Sequence, residues 1–563
     1  MKLLEVKNLS LSFKSKLGEK QVLKNVSFVL DKSKTLGIVG ESGSGKSLTA
    51  LSILNLLPNN AQISNGEILY YLDNKEIDTL LLENKELLKL RGKCISMIFQ
   101  EPMTSLNPSL RCGYQVFEII TNHTKISHKN ARVRVMELFD EVKLPNPHRI
   151  YNSYPHEISG GQKQRVMIAM AIALNPSILI ADEPTTALDV TVQKAILELL
   201  LEIQRNYQMS IIFISHDLGV ISQIADDVLV MYKGKIVESG KSQQILLNPQ
   251  HPYTKGLLNC RPELNLSNKR LPVLKDYIEP NEGLNKSKQI QKNKDISFNE
   301  VILSVNHLDK SFVSKRNFMG NVIRQQVAIK DLSFNVFRGE TLGLVGESGC
   351  GKTTLGRIIA QLLEKNSGSI EYKGISLNRL SNKELKLFRK NVQIIFQDPY
   401  SSLNPKITIG EALSEPLKVH GLSKSKSGRR ERVFELLKKV KLEPESYYKY
   451  PHEFSGGQRQ RIAIARALIL EPEFIICDES VSALDVSIQA EILNLLNDLK
   501  DEFNLTYIFI SHDLSVVKYM SDRILVMKNG ENVEINNADE IYKSPASEYT
   551  KNLIESIPAI KNN

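Results

Sequence analysis

The sequence predicts a protein of the α/β class that is built from two similar domains. Its 563 residues exceed what one hydrophobic core organises, and 42% apolar with 24% charged residues is an ordinary globular composition. One long unit is written twice, since Ser159, Asp182 and His216 recur 296 positions later as Ser455, Asp478 and His512. In both copies an apolar run that ends in glycine, TLGIVG and TLGLVG, precedes a helix-like segment, so the predicted order is strand, loop, helix.

The duplication also sets the expected domain boundaries. Each copy opens with a strand-like alternating segment, LLEVKNLSLSF in the first and ILSVNHLDKSF in the second. Residues 261–300 between the copies are rich in Lys, Asn, Glu and Pro and show little periodicity, which is typical of a linker. We therefore expect domains at 1–260 and 301–563. The first copy carries extra residues between Gly45 and Gln100, and we expect them to lengthen a loop or a helix.

Both copies carry a phosphate-binding loop directly after the apolar run. GESGSGKS and GESGCGKT fit the pattern G-x-x-x-x-G-K-[ST], in which backbone N–H groups surround phosphate oxygens at a helix N-terminus. We expect Lys46 and Lys352 to reach the β- and γ-phosphates, and Ser47 and Thr353 to ligate Mg²⁺. The other predicted nucleotide contacts in these loops are Gly40, Ser42, Gly43, Ser44 and Gly45, with Gly346, Ser348, Gly349, Cys350 and Gly351 in the second copy.

A pair of acids ends another apolar run in each copy, ILIADE and FIICDE. Because neighbouring side chains of a strand point to opposite sides, the two acids can have different functions. We expect Asp182 and Asp478 to hold the Mg²⁺ shell, and Glu183 and Glu479 to act as general bases toward the attacking water.

Two further polar residues follow strand-like runs in each copy. Gln100 and Gln397 end SMIFQ and QIIFQ, where an amide can bond a metal-bound or attacking water. His216 and His512 follow their glutamates by 33 residues, in surroundings that repeat. We expect both histidines to donate hydrogen bonds that orient the γ-phosphate.

The remaining composition indicates an intracellular protein. The longest apolar stretch, 166–181, is interrupted by Asn-Pro and is shorter than a membrane-spanning helix, and the N-terminus lacks the features of a signal peptide. Five scattered cysteines without a CxxC pair indicate reduced thiols. The net charge of +10 suits nucleic acid or anionic lipid, but its even spread along the chain favours a solvated basic surface.

With these motifs in order, the sequence resembles the ATP-binding cassette (ABC) ATPases over nearly its whole length, in two copies. The resemblance implies two RecA-like P-loop ABC nucleotide-binding domains, each with an antiparallel β subdomain and a helical subdomain that carries the SGGQ signature. It also implies ATP as the substrate and Mg²⁺ as the cofactor.

The resemblance explains why SGGQ occurs twice. In the family two cassettes associate head to tail, and the signature of one covers the nucleotide bound by the other. The implied internal pseudo-dimer places the second signature over ATP at Lys46 and the first signature over ATP at Lys352. The signature residues are Ser159, Gly160, Gly161 and Gln162, with Ser455, Gly456, Gly457 and Gln458 in the second copy.

A narrower resemblance concerns the segments FQEPMTSLNP, FQDPYSSLNP and HPYTKGLL, which look like those of the oligopeptide, dipeptide and nickel importers. A single chain with two cassettes is similar to the ATP-binding subunits of microcin C and glutathione importers. This implies a peripheral protein at the cytoplasmic face of the bacterial inner membrane that drives the uptake of peptides or peptide-like solutes. The implied partners are two transmembrane permease subunits and, through them, an extracytoplasmic solute-binding protein.

The second copy departs from the first at several positions. Ser480-Val-Ser replaces Pro184-Thr-Thr, so we expect two active sites with the second somewhat weaker. Only Cys260 follows the HPYT segment, and we therefore expect no cysteine-ligated cluster. Phe13 and Phe312 end matching strands, and either adenine stacking or ordinary core packing accounts for them.

Two other functions are alternatives to import. A soluble tandem-cassette protein that acts on ribosomes or DNA would suit the basic charge, but that class typically has Asn-His before the Leu-Asp of the D-loop and a long helical linker. Here the D-loops are 186–189 and 482–485, without Asn-His, and the linker contains prolines. An exporter usually fuses membrane spans to the cassette or lacks the HPYT segment. We therefore expect an importer ATPase with no nucleic-acid partner.

Overall fold

The computed structural model describes residues 1–15, 18–72, 75–100, 105–186, 188–262, 270–279, 300–316, 322–400, 402–423, 425–482 and 484–557. It contains two units of the same architecture, which we term the first cassette (within 1–260) and the second cassette (within 301–557). Both combine parallel strands, antiparallel strands and helices, so the predicted α/β fold is confirmed. No helix within these ranges combines the length and the apolar character that crossing a membrane requires.

The strands of the first cassette are β1 (Lys2–Ser15), β2 (Gly18–Asp31), β3 (Thr35–Val39), β4 (Ala61–Leu72), β5 (Lys75–Asp78), β6 (Ile95–Ile98), β7 (Ile178–Asp182), β8 (Ser210–Ser215), β9 (Asp227–Tyr232) and β10 (Lys235–Lys241). Among these described strands, one sheet is antiparallel with the order β2-β1-β4-β5. The other has the order β10-β9-β3-β8-β7-β6 and is parallel except at β10. Strands β3, β7 and β8 are buried along their whole length, as parallel strands between helical layers are.

The helices of the first cassette are α1 (Lys46–Ile53), α2 (Asn84–Leu90), α3 (Cys112–His123), α4 (His128–Glu141), α5 (Pro147–Asn152), α6 (Gly160–Ile172), α7 (Val190–Tyr207), α8 (Leu218–Ile224), α9 (Ser242–Leu247) and α10 (Pro252–Asn259). Helices α3 to α6 pack against one another and form the helical subdomain. A short helix, α11 (Lys275–Ile278), follows in the segment between the cassettes.

The second cassette repeats this arrangement. Its strands are β11 (Val301–Arg316), β12 (Val322–Phe337), β13 (Thr341–Val345), β14 (Ser367–Tyr372), β15 (Ile375–Ser376), β16 (Val392–Ile395), β17 (Phe474–Asp478), β18 (Thr506–Ile510), β19 (Arg523–Lys528) and β20 (Glu531–Asn537). Its helices are α12 (Lys352–Ile359), α13 (Asn382–Asn391), α14 (Ile409–His420), α15 (Lys426–Lys439), α16 (Gly456–Leu468), α17 (Val486–Phe503), α18 (Leu514–Met520), α19 (Ala538–Lys543) and α20 (Glu548–Glu555). Its sheets have the orders β12-β11-β14-β15 and β16-β17-β18-β13-β19-β20 in the part of the chain that the structure describes.

The extra residues of the first copy lie in the antiparallel sheet. Strand β4 has 12 residues where its counterpart β14 has 6, and it pairs with β1 as far as Phe13. The insertion therefore lengthens a strand and its hairpin, whereas we expected a longer loop or helix. The motifs are unaffected because they lie on the other sheet.

Segment 270–279 of the predicted linker is a packed strap between the cassettes. Its Leu271 is 2% exposed and exchanges two hydrogen bonds with the Asn494 side chain on α17, from its N–H to Oδ1 at 3.1 Å and from Nδ2 to its carbonyl at 2.8 Å. Tyr519 also donates to Asn494 Oδ1, at 3.1 Å. Arg270 forms a bidentate ion pair with Asp498 at 2.6 and 2.9 Å. The composition of the segment did not indicate this role, because so short a contact needs few apolar side chains. Here they come from Leu271 and from the helix after it.

The strap contacts both cassettes, and its contact with the second cassette has no counterpart in the first. Leu274 of the strap packs against Gly256 of α10 in the first cassette, while Asn494 belongs to the second cassette. The residue of the first cassette in register with Asn494 is Glu198, which has no amide to form the same pair of hydrogen bonds. A continuous cluster of buried apolar side chains also extends through both cassettes and includes the strap.

We expect the substitution Asn494→Ala to destabilise the chain by roughly 2–3 kcal/mol, because it leaves the backbone groups of Leu271 and the Tyr519 hydroxyl without a buried partner. Calorimetry should show a lower melting temperature. The matched control is Asp498→Ala, which removes a half-exposed ion pair on the same helix and should cost less than about 1 kcal/mol. Equal losses in the two variants would contradict the role assigned to the buried amide.

Candidate functional site

The two phosphate loops connect β3 to α1 and β13 to α12, and their backbone path requires glycine. Gly45 has a φ of 106°, and a Cβ there would lie 2.5 Å from Leu23 Cδ2. Gly351 has a φ of 109°, and its Cβ would lie 2.2 Å from the Ala328 carbonyl oxygen. A larger residue would be strained and would collide with β2 or β12. The neighbouring antiparallel sheet therefore requires glycine at these two positions.

The loop lysines lie over the carbonyl groups of their own loops. Lys46 Nζ donates to the carbonyls of Gly40 at 2.6 Å and Glu41 at 3.0 Å, and Lys352 Nζ repeats both contacts in its loop at 2.7 and 2.9 Å. Lys46 is only 4% exposed, and this burial lowers its pKa, although the carboxylate of Glu183 opposes the shift. Each ammonium group is thus held inside the loop curve, where a phosphate would meet it.

The middle of the loop differs between the cassettes. Ser44 Oγ is buried and has no hydrogen-bond partner within the described residues, as expected for a group directed at a ligand. Cys350 takes its place in the second loop, with Sγ at 3.8 Å from Lys352 Nζ. Burial raises the pKa of the Cys350 thiol. The other loop residues predicted to contact nucleotide lie in the same two turns: Ser42 and Gly43, with Ser348 and Gly349. The predicted Mg²⁺ ligands Ser47 and Thr353 lie in the first turns of α1 and α12.

The donor set beside each loop fits Mg²⁺. Asp182 is the last residue of β7; its Oδ1 is buried without a partner among the described residues, and its carboxylate bonds Ser47. In the second cassette Thr353 Oγ1 donates to Asp478 Oδ1 at 3.0 Å. A hydroxyl and a carboxylate beside phosphate oxygens are the oxygen ligands that Mg²⁺ prefers. Burial raises the pKa of Asp182 to about 6, despite the Ser47 hydrogen bond. A bound cation would therefore reduce the free-energy cost of keeping this buried carboxylate ionised.

The glutamates owe their direction to a turn of the backbone. Strand β7 ends at Asp182, and Glu183 has a φ of 46°; strand β17 ends at Asp478, and Glu479 has a φ of 48°. Left-handed backbone is unusual for a residue other than glycine and is typical of functional sites. Strand alternation is therefore not the reason that the two acids face different surroundings, because Glu183 already lies outside the strand.

The carboxylate of Glu183 joins the other predicted catalytic groups. Its Oε2 lies 3.2 Å from His216 Nδ1 and accepts from Gln100 Nε2 at 3.2 Å. Burial favours the neutral acid, but the His216 hydrogen bond, its charge and that of Lys46 outweigh it and lower the pKa of Glu183 to about 2. Burial likewise disfavours the charged form of His216. The hydrogen bond and the negative charge of Glu183 outweigh this effect of burial and raise the pKa of His216.

The second cassette brings the same groups together with different distances. Glu479 Oε2 accepts from Gln397 Nε2 at 2.7 Å and lies 3.5 Å from His512 Nδ1. His512 offsets the effect of burial and lowers the pKa of Glu479. In both cassettes the glutamine amide therefore contacts the glutamate. That Gln100 and Gln397 ligate a metal, and that the histidines contact a γ-phosphate, stay predictions.

The signature serines and glycines begin helices α6 and α16. Ser159 Oγ accepts from the Gln162 N–H at 3.3 Å and Ser455 Oγ from the Gln458 N–H at 3.4 Å, with both glutamines returning the bond as capping boxes. The family resemblance implies that both glycines of a signature cover the nucleotide of the other cassette. The second glycine has a further cause, because a Cβ on Gly161 would lie 2.8 Å from a Val192 methyl group of α7.

The same packing recurs in the second cassette. A Cβ on Gly457 would lie 2.4 Å from a methyl group of Ile488 on α17, whereas the first glycines, Gly160 and Gly456, have their nearest neighbour 3.7 and 3.8 Å away. The second glycine of each signature is thus required by the helix that follows the D-loop. The first glycine has the space that a ligand would need.

Contacts between the cassettes involve four residues that our site prediction omitted: Glu41, Asp189, Asp485 and Ser487. The Ser42 N–H donates to Asp485 Oδ1 at 3.0 Å, and the Ser348 N–H donates to Asp189 Oδ2 at 3.2 Å. Ser487 also donates to the Glu41 carboxylate across the interface. Each D-loop aspartate therefore holds the phosphate loop of the other cassette. The signal was present in the repeated Ala-Leu-Asp sequence, which we used only to compare families.

The two candidate aromatic residues lie in different surroundings. Phe312 is 40% exposed and lines the cavity over the second phosphate loop together with Lys352, Glu479, His512 and, from the first cassette, Asp189. Phe13 packs against the antiparallel-sheet core of its own cassette. The geometry thus favours adenine stacking at Phe312 over Phe13.

Two family profiles and several known proteins are similar to this chain. The ABC transporter family profile matches residues 23–186 and 329–482, and the oligopeptide/dipeptide transporter C-terminal region matches 237–287 and 533–563. The chain is 43% identical over 560 residues to the glutathione import ATP-binding protein GsiA of Pectobacterium atrosepticum, covering 99% of this chain and 90% of that protein. It is 44% identical to GsiA of Escherichia coli K12, covering 99% and 89%. The solved structure of a bacterial ABC transporter cassette, MJ0796, is 30% identical in sequence to this chain. The match covers 42% of this chain and 98% of the MJ0796 chain, with a TM-score of 0.38.

We expect Glu183→Gln or Glu479→Gln to retain ATP binding and to accumulate a nucleotide-bound closed state, because the amide cannot accept the proton of the attacking water while the phosphate contacts persist. ATP binding and steady-state hydrolysis of the purified chain measure this. If both single variants hydrolyse ATP at the wild-type rate, the glutamates are not the bases.

We expect Asp182→Asn to stabilise the nucleotide-free chain at pH 8 by up to about 3 kcal/mol, since the buried carboxyl has a raised pKa and costs free energy when ionised. The gain should vanish as the pH falls through about 6 toward 3.8, the ordinary value, because the native carboxyl then becomes neutral. Melting temperatures against pH test this, with the exposed Asp140→Asn as control. A gain that is independent of pH would contradict the assignment to ionisation.

Proposed function

Because the chain belongs to the ABC transporter family, as a tandem two-cassette ATPase, we propose that it is the energy-coupling subunit of an importer for peptides or peptide-like solutes. The observation that carries this proposal is the match of the oligopeptide/dipeptide transporter C-terminal region after both cassettes. Relatives that are 43 to 44% identical over 99% of the chain, named as glutathione import proteins, support it. Glutathione is itself a small peptide, so it belongs to the proposed solute class.

In the proposed reaction each ATP lies on one phosphate loop. Lys46 or Lys352 and the loop N–H groups bind its phosphates. Ser47 and Asp182, or Thr353 and Asp478, would hold Mg²⁺, which when bound neutralises charge on the β- and γ-phosphate oxygens. Glu183 or Glu479 takes the proton of the attacking water.

The histidine and glutamate of each site form an ion pair that has to rearrange in this scheme. With a pKa near 2, Glu183 stays ionised at neutral pH, so it is always able to accept a proton. Its pairing with His216 at 3.2 Å also makes it a weaker base. A γ-phosphate that took over the hydrogen bond of His216 would raise the basicity of Glu183 at the moment the substrate is in place.

Both sites are proposed to be composite. The signature at 455–458 closes over the Lys46 site, and the signature at 159–162 closes over the Lys352 site. The geometry that supports this is the reciprocal pair of D-loop contacts, because Asp485 and Asp189 each bind the opposite phosphate loop. Since both cassettes are in one chain, their encounter is intramolecular and does not depend on protein concentration.

The chain contributes no membrane span among its described helices, so transport requires separate membrane subunits. We propose two transmembrane permease subunits as direct partners, at the cytoplasmic face of the bacterial inner membrane, and an extracytoplasmic solute-binding protein that acts through them. Closure of the cassettes on ATP and their reopening after hydrolysis would drive the permease between its inward and outward states.

Affinity purification of the chain from gently solubilised membranes should recover two polytopic permease subunits, identified by mass spectrometry. Cells should then lose uptake of labelled small peptides when the chain carries Glu183→Gln and Glu479→Gln together. The control is the same double variant tested for recovery of the permease, which it should retain. Recovery of ribosomes or DNA-bound proteins in place of a permease would overturn the importer assignment and leave the ATPase intact.

A further inference from the structure

The two catalytic glutamates are not held by the same set of groups. Oε2 of Glu183 contacts His216, Gln100 and also a hydroxyl, Thr186 Oγ1, which donates to it at 2.9 Å. Around Glu479, the position of Thr186 is taken by Ser482, whose hydroxyl donates instead to the backbone carbonyl of Glu479 at 2.9 Å. One carboxylate therefore receives a hydroxyl hydrogen bond that the other does not.

This difference lies in the side chains and not in the path of the backbone. The N–H groups of Thr186 and Ser482 donate to the carbonyls of Glu183 and Glu479 at the same distance, 3.2 Å. The glutamates have φ values of 46° and 48°. Threonine is β-branched and has a restricted χ1, whereas serine rotates more freely and can take the nearby carbonyl. The residue type therefore decides which acceptor the hydroxyl binds.

The hydroxyl has a consequence for the atom that would accept the proton. With Oε2 of Glu183 occupied by three donors, Oε1 is the oxygen that faces the phosphate loop, where it lies 4.0 Å from Lys46 Nζ. Without the hydroxyl a carboxylate can turn about its terminal torsion, which is soft. Holding a reacting group in one orientation is a recognised source of catalytic rate.

We propose that Thr186 is a positioning residue for Glu183, which it holds with Oε1 toward the phosphates, and that the second site lacks this device. The inference rests on the proposed role of Glu183 as general base. It makes the two ATP sites unequal in the chemical step: the site at Lys46 has an oriented base, and the site at Lys352 has one held by its glutamine and, at 3.5 Å, by its histidine.

The test compares Thr186→Val with Ser482→Val in the full-length chain. Valine keeps the β-branch and removes the hydroxyl. Thr186→Val should lower kcat for ATP hydrolysis about tenfold, as the loss of one orienting hydrogen bond does, with KM for ATP unchanged. Ser482→Val should stay within about twofold of the wild type, because the Ser482 hydroxyl binds a backbone carbonyl and not the carboxylate.

Several results would overturn the inference: equal losses in the two valine variants, an unchanged kcat in Thr186→Val, or a loss that appears in KM for ATP with kcat unchanged. Melting temperatures of all variants are measured alongside. If Thr186→Val is destabilised, Thr186→Ala against Ser482→Ala repeats the comparison with smaller side chains. Wild-type hydrolysis in Glu183→Gln would instead show that the proposed base is wrong, a failure that is separate from that of Thr186.

Discussion

The carboxyl edge of the parallel sheet is the constraint on which both sites depend. The phosphate loop follows β3, the two acids follow β7, the glutamine follows β6 and the histidine follows β8, and these strands are neighbours in the sheet. Parallel strands bring their carboxyl ends to one edge, so side chains that are far apart in sequence meet there. The complete burial of the central strands keeps this edge rigid, since any shift would disrupt the core beneath it.

The same edge is also where the cassettes meet. Each D-loop follows its acids by a few residues, and its aspartate reaches an N–H group of the opposite phosphate loop. We therefore expect nucleotide binding in one cassette to be coupled to the other, because the phosphate loop of each cassette is held by the D-loop of its partner. The strap at 270–279 adds a contact of another kind, which joins the end of the first cassette to α17 without involving either site.

Repetition in the sequence conceals real differences between the two halves. Asn494 in α17 receives the strap, while Glu198 stands at the corresponding position of α7. Thr186 bonds a carboxylate, while Ser482 bonds a carbonyl. A duplicated chain is free to specialise its halves because a contact on one side has no need of a symmetrical counterpart. The exchange of Pro184 for Ser480, from which we expected a weaker second site, leaves the backbone of the turn unchanged.

The sequence by itself determined the α/β class, the duplication, the family and the residues gathered at each site, because those depend on local patterns: an apolar run, a glycine at a fixed spacing, an acid at a strand end. It did not determine what those residues contact. That Gln100 and His216 meet on Glu183, that Gly161 is required by Val192, and that Leu271 is buried in the other cassette all depend on segments distant in the chain. Such contacts arise only when the elements pack, so the tertiary structure decided them.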